Sequence, residues 1–464
     1  MRKNRSMATA TSIDGRTFTF HSRVQGLELQ PGSYAAIGEH LGQVHSVELL
    51  PGNGSEVLGS GMLLGAGAVP FHDLDVGRAD EERVQTWLEQ SRPSRAGLDI
   101  GELAAEPGIR FVLDAGGFDR HTFFCGQSGS GKSYALGAVL EQLLLETSLR
   151  IVVLDPNSDF VRVGSLRDDV DGDVGSRYRR ATEGVVVRRG GEGADRLHVR
   201  FTDCDAEEQA AVLRLDPIRD REEYGVLVDM LERGLESEGG TASEVADRLL
   251  QASAPEMRAL GTRLRNLGIH RWPIWSTGDE GSIQDLVASD GPRGLVVDLG
   301  SLGTLGEKAI AAESVLAALW RRRADREPVL IVIDEAHNVC PREPADEVTA
   351  LAAEHAARIA AEGRKFGLYL LVSTQRPQRV NELVVSQCDN LVLMRMTSAG
   401  DRAYIADTLA FAPSPLVDRA SAFRPGEALV AGKIASHPAF VRFGPRLAEE
   451  GGSDVPSTWA ERTG

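Results

Sequence analysis

The run Gly-Gln-Ser-Gly-Ser-Gly-Lys-Ser spans positions 126 to 133, with glycines at 126, 129 and 131 and a terminal Lys-Ser pair. Glycines at this spacing let successive backbone N–H groups turn inward onto one anion, and a helix beginning where the loop ends adds its positive pole. The candidate nucleotide-binding residues are therefore Gly126, Gln127, Ser128, Gly129, Ser130, Gly131, Lys132, Ser133 and Tyr134. In that reading Lys132 reaches the β- and γ-phosphates of ATP, and the Ser133 hydroxyl is a ligand of Mg²⁺. Lysine is scarce here, at positions 3, 132, 308, 365 and 433 among 51 basic residues, so its placement at the end of this loop carries information.

A second constellation supplies what hydrolysis needs beyond binding. In VLIVIDEAHN, residues 329 to 338, an apolar run ends in Asp334 and Glu335, the place where open α/β sheets put their ligands. Asp334 is the candidate Mg²⁺ residue. Glu335, a carboxylate beside the metal ligand, can orient and deprotonate an attacking water. GLYLLVSTQRP, residues 367 to 377, ends in Ser373, Thr374 and Gln375, and a glutamine there can hydrogen-bond the γ-phosphate or the attacking water. Just upstream, Arg358, Arg364 and Lys365 follow or close a helical segment. Any one of them could stabilise charge on the transferring phosphoryl group or simply complement a helix C-terminus.

These residues need strands to hold them. TFFC runs into the glycine loop as a buried strand, and a helix with Ala135, Leu136, Val139, Leu140, Leu143 and Leu144 on its apolar positions follows. Unalternated apolar runs recur at LRIVVLDP, RGLVVDLG, PVLIVIDEAHN, GLYLLVSTQRP and NLVLMRM, as strands covered on both faces require. With helices between several of them, the fold class is α/β with a predominantly parallel, doubly wound sheet. Residues 15 to 75 alternate short β-type runs with Gly/Pro/Asn turns, the pattern of a small barrel. Residues 76 to 105 read as a polar helix and linker. Residues 200 to 272 carry helical periodicity with acidic or Ser/Thr caps. The expected organisation is thus a barrel and linker over 1–105, core segments over 106–199 and 291–445, a helical insertion over 200–290, and a polar tail over 446–464.

At 464 residues the chain exceeds one ordinary core. Its formal charge of −17 argues against a general nucleic-acid coat, although an acidic exterior is compatible with a basic lumen. Cys125, Cys204, Cys340 and Cys388 stand singly, which excludes a zinc or disulfide framework and makes them incidental or buried thiols. No run of 18 uncharged apolar residues is present and the N-terminus lacks a leader pattern, so a cytoplasmic location with no membrane is expected. His121 and His337 read as structural, and Arg321, Arg322 and Arg323 as a solvated helix end.

Taken together, RHTFFCGQSGSGKS, VLDPNSDF, IVIDEAHN and above all EGRKFGLYLLVSTQRPQRVNELVVSQCDNLVLMRM, residues 362 to 396, resemble the HerA-type hexameric ATPases, which are similar to the FtsK DNA pumps. The resemblance extends over about residues 10 to 445. It implies a RecA-like P-loop ATPase core and a homohexameric ring that hydrolyses ATP with Mg²⁺ to translocate on double-stranded DNA, often beside a nuclease. It also implies hydrolytic roles for Lys132, Ser133, Asp334 and Glu335, a phosphate-sensing role for Gln375, and a trans-acting arginine at Arg364. Asn157-Ser158-Asp159 departs from the Gly-Glu pair common in that family. The DEAH tetrapeptide would otherwise suggest the helicases named for it, but those need a second RecA-like domain. The alternative of another class is an ATP-binding scaffold that regulates an effector enzyme in phage defence.

Overall fold

The computed structural model describes residues 8–50, 54–65, 67, 69–92, 95–233, 241–276, 280–288 and 291–452. In chain order the strands are β1 Thr9–Ser12, β2 Thr17–Arg23, β3 Tyr34–Ile37, β4 His40–Leu49, β5 Glu56–Leu64, β6 Phe71–Arg78, β7 Gly97–Leu103, β8 Arg110–Asp114 and β9 His121–Cys125. They continue with β10 Arg150–Asp155, β11 Val185–Arg189, β12 Gly294–Asp298, β13 Val329–Ile333, β14 Leu368–Thr374, β15 Cys388–Met394, β16 Glu427–Gly432 and β17 Ala439–Phe443. The helices used below are α1 Glu81–Gln90, α2 Lys132–Glu146, α3 Gly172–Thr182, α4 Ala206–Leu213, α5 Arg221–Arg233, α6 Ala242–Gln251, α7 Pro255–Leu267, α8 Ile283–Leu286, α9 Leu305–Arg321 and α10 Glu347–Glu362. The chain forms two compact units, one from Met1–Thr147, Gln375–Gln378 and Cys388–Arg446, the other from Ser148–Thr374, Arg379–Gln387 and Leu447–Gly464.

The first unit opens with a closed barrel in the order β1-β2-β5-β4-β3-β6. Ala10, Phe18, Phe20, Ala35, Ile37, Val44 and Val76 fill the lumen; along β2 the residues between them are exposed, whereas Tyr34 of β3 and Gln43 of β4 are buried too. Beyond the barrel, β9 lies parallel to β15, and β15, β16, β17, β7 and β8 continue antiparallel. One sequence expectation is corrected here. Leu98, Ile100 and Leu103 are buried and make residues 97–103 a strand where a linker was expected after the helix. The strands of this unit are mixed in direction: β9 and β15 are parallel, while the hairpins β16–β17 and β7–β8 have connections too short for a parallel crossover.

The second unit holds β11-β12-β10-β13-β14, all parallel. Every residue of β12 and β13 is buried, which explains their unalternated apolar sequences. Between β11 and β12 the chain forms the helices α4 to α7. Capping boxes at Asp205 with Glu208 and Thr241 with Glu244 start α4 and α6, each worth roughly 1 kcal/mol. Arg321 at the end of α9 holds the buried Glu208 carboxylate of α4 at 2.7 Å, and His355 of α10 lies 2.9 Å from the buried Glu313 of α9. Arg321, in the triplet read from sequence as a solvated helix end, is exposed and at the same time paired. All four cysteines are buried and none forms a disulfide. No helix among the described residues is long and apolar enough to cross a membrane. Trp459 and the rest of the expected tail beyond Gly452 lie outside the described residues.

Candidate active site

β9 is buried throughout and delivers the glycine loop directly onto the first turn of α2, the strand, loop and helix that the sequence implied. The chain turns at Gly129 and Gly131 with φ of 71° and 88°, values at which a side chain would be strained. At Gly126 a Cβ would sit 2.8 Å from both Met394 Cβ and Ser130 Oγ. The loop is held from outside as well. Gln127 N–H donates to Arg395 O at 2.9 Å, and the Arg395 guanidinium donates to Gly129 O at 3.1 Å. The Gln127 side-chain carbonyl accepts from the Thr397 N–H and hydroxyl at 2.9 and 2.7 Å, and Gly426 N–H donates to Ser130 O at 3.0 Å. Lys132 is 5% exposed, and the buried Ser130 hydroxyl has no hydrogen-bond partner among the described residues. A rigid cradle of N–H groups at a helix N-terminus, with a buried lysine and a hydroxyl at its mouth, fits a nucleotide phosphate with Mg²⁺.

Tyr134 and the helix behind the loop reveal a contact that sequence reading missed. The Tyr134 hydroxyl accepts the Arg446 N–H at 2.9 Å. The Arg446 guanidinium, 2% exposed as a residue, donates from Nε to Glu141 at 2.7 Å and lies so close to Gly137 that a Cβ there would be 2.4 Å from its Cζ. One buried arginine thus grips the P-loop helix one and two turns beyond its start. No local pattern announces this, since the partners are 305 residues apart.

In the second unit Asp334 is fully buried and accepts the Ser373 hydroxyl at 2.7 Å. Glu335, 3% exposed, occupies the left-handed region at φ 41°, a conformation costing a non-glycine residue on the order of 1–3 kcal/mol and concentrated at functional sites. His337 Nδ1 lies 3.3 Å from Glu335 Oε2 and 3.1 Å from Thr374 Oγ1, so this histidine, read from sequence as structural, steadies the carboxylate expected to act as base. Asp155 closes β10 beside them. Its carboxylate accepts the N–H groups of Asn157, Asp159 and Phe160 at 3.3, 3.0 and 2.8 Å. Burial pushes its pKa up to about 7 against those donors, with the charge of Asp334 adding to the rise. The same grammar as at Asp334, an apolar strand ending in aspartate, was visible in VLDPNSDF.

The DPNSDF loop is shaped by its own departures. Ser158, at φ 62°, donates its hydroxyl to Asp298 at 2.7 Å. A side chain at Gly300 would collide with that hydroxyl, and Gly451 N–H donates to Asp159 O at 3.1 Å. Arg358 is paired with Glu354 one turn earlier on α10. Arg364 and Lys365 stand exposed on a 3₁₀ turn, Gly363–Phe366, that follows α10. Gln375 directly follows β14 in the chain and belongs to the first unit.

Residues 98–308 match the family model described as the central domain of helicase HerA. The chain is 23% identical over 412 residues to the DNA double-strand break repair helicase HerA of Pyrococcus furiosus, covering 75% of this chain and 69% of that protein. It is 25% identical over 408 residues to the protein of the same name from Saccharolobus solfataricus, covering 80% and 73%. Against that of Sulfurisphaera tokodaii the identity is 32% over 167 residues, a third of either chain. Among solved structures, VirB4 of Thermoanaerobacter pseudethanolicus superposes with a TM-score of 0.52 at 15% identity, over 76% of this chain and 97% of that one. The bacterial conjugative coupling protein TrwBdeltaN70 gives 0.50 at 13%, over 79% and 92%. At these identities the structural likeness speaks for a shared RecA-like fold.

Proposed function

We propose that this relative of the HerA-type P-loop ATPases is a Mg²⁺-dependent ATP-hydrolysing motor, assembled as a homohexameric ring on double-stranded DNA in the cytoplasm and working beside a nuclease or other effector protein. The observation that carries the reading is the strained, nearly buried Glu335, steadied by His337 one residue after the buried Asp334. A chain that only bound ATP would have no need of such a base. The names of its HerA relatives support DNA as the track.

In this mechanism the loop N–H groups and Lys132 hold the β- and γ-phosphates. Ser133 and Asp334 would hold Mg²⁺, which supplies neutralising charge to the phosphate oxygens. Glu335 accepts a proton from the attacking water, with its carboxylate oriented by His337, which is itself within hydrogen-bond reach of Thr374. Gln375 hydrogen-bonds the γ-phosphate or that water. Arg364 from the adjacent subunit stabilises the charge of the transferring group, an effect worth about 10³ to 10⁵ in rate for an arginine finger.

The test is the steady-state ATPase rate with and without linear double-stranded DNA, with Glu335→Gln as the blank. Strong stimulation by DNA is the expected result. Turnover indifferent to DNA would overturn the motor and point instead to an ATP-binding scaffold that governs an effector enzyme.

A further inference from the structure

The turn Gly363–Phe366 that displays Arg364 is fastened to the end of α9. Phe366 meets the Trp320 ring edge-to-face at 6.2 Å and 86°. The Arg323 guanidinium lies over the Trp320 ring at 4.5 Å and 5.9 Å from the Phe366 ring, while its Nη1 donates to Trp320 O at 2.9 Å. Arg323 thus fills the corner between two aromatic rings, where cation–π attraction strengthens with partial burial. The backbone on either side is equally constrained. Gly363 is buried with no room for a Cβ, 2.9 Å from Leu368 O. Gly367 turns at φ 83° and accepts the Val329 N–H at 2.9 Å. Between these fixed points only Arg364 and Lys365 are exposed.

α9 is itself immobilised where this rest begins. Arg321 is held by Glu208 at 2.7 Å and Arg322 by Asp325 at 3.2 Å. The three consecutive arginines therefore have three different tasks: the first ties α9 to the insertion, the second closes the helix end, and the third lies under the turn.

We propose that Trp320, Arg323 and Phe366 are positioning residues that pre-set the turn so that Arg364 reaches the nucleotide of the neighbouring subunit without a reordering step. The inference rests on the trans-acting role of Arg364. An arginine carried on a loose turn must be ordered at each hydrolysis event, and a misplacement of about 1 Å at a catalytic group costs roughly 10²-fold. Loosening the rest leaves the subunit's own P-loop and carboxylates untouched, so the defect belongs to the site next door.

That polarity is the test, read as ATPase rate in rings of mixed subunits. Arg323→Ala is expected to lower kcat about 10- to 100-fold with ATP affinity and ring assembly as in the unaltered protein. Phe366→Leu is expected to do the same, and Phe366→Tyr, which keeps the ring, to restore most of the rate. Mixing Arg323→Ala with Lys132→Ala subunits, which cannot bind ATP but retain an intact turn, should restore activity with the same dependence on ratio as mixing Arg364→Ala with Lys132→Ala. If the Arg364→Ala mixture recovers while Arg323→Ala and Phe366→Leu have normal kcat alone, the turn holds itself and the inference falls. It falls equally if their defect is not relieved by Lys132→Ala subunits. If the Arg364→Ala mixture itself fails to recover, the trans reading fails first and takes the inference with it. Should Arg323→Ala not assemble, Phe366→Leu carries the same experiment.

Discussion

At the residue scale the proposed chemistry divides between groups that would hold phosphate and groups that would activate water. Lys132→Ala should abolish ATP binding, as measured by equilibrium titration with a labelled nucleotide; wild-type affinity would remove the loop from the site. Glu335→Gln should bind ATP with normal affinity and show no turnover, since the amide cannot take the proton. Normal turnover there would place the base elsewhere. His337→Ala removes the group 3.3 Å from Glu335 Oε2 and is expected to reduce kcat about tenfold with KM nearly unchanged. Both motifs that carry these roles were legible in the sequence, because a phosphate loop and a strand-end carboxylate pair are contiguous. The support given by His337 and Ser373, and the raised pKa of Asp155, were not legible. Each depends on which strand ends lie side by side.

At the scale of elements, the P-loop helix α2 and the segment that follows β17 are tied through one buried ion pair, Glu141 with Arg446. Removing one partner of such a pair costs about 3–5 kcal/mol because a desolvated charge is left behind. Arg446→Met should therefore lower unfolding free energy strongly in chemical denaturation. The double variant Arg446→Met with Glu141→Leu should recover most of the loss, since neither charge then remains to be buried. Additive losses would show that the arginine acts through packing against Gly137. The apolar strands β10, β12, β13, β14 and β15 were legible element by element from their unalternated runs. By contrast β7 was hidden in GLDIGEL, where glycines and acids mask a half-buried strand. The direction of β16 and β17 also escaped sequence reading, because direction follows from the length and path of connections.

At the scale of the whole molecule, two properties respond to solution conditions. His437 is fully enclosed, with Tyr34 Oη 2.7 Å from Nε2 and the Trp87 ring at 5.0 Å. Burial holds its pKa down to about 3, helped by the charge of His45. Its folded pKa lies below the unfolded value near 6.5, so the stability gained by keeping it neutral is complete above about pH 6.5. It is lost as pH falls toward 3, by up to about 1.4 kcal/mol per unit. Thermal melts between pH 7.5 and 4 should show a steep acid limb that flattens in His437→Gln, and parallel limbs would refute the assignment. The formal charge of −17 requires that any DNA contact be local. Affinity for linear duplex should then fall with salt at a slope of roughly 0.9 per phosphate neutralised, and a flat response would argue for a protein partner.

What the sequence alone determined is what lies within a few neighbouring residues: the glycine loop and its lysine, the aspartate and glutamate ending an apolar strand, the barrel's alternation, the insertion's helical period, and the likeness to HerA-type ATPases that the family match bears out. The tertiary structure alone decided which distant groups share a desolvated space: Arg446 with Glu141, Ser158 with Asp298, Arg323 with Phe366. Local spacing is written along the chain because a loop or a helix turn is closed by residues a few positions apart. Burial and charge pairing depend on the packing of segments hundreds of positions apart, 305 for Arg446 with Glu141 and 403 for His437 with Tyr34, and no short pattern encodes that proximity.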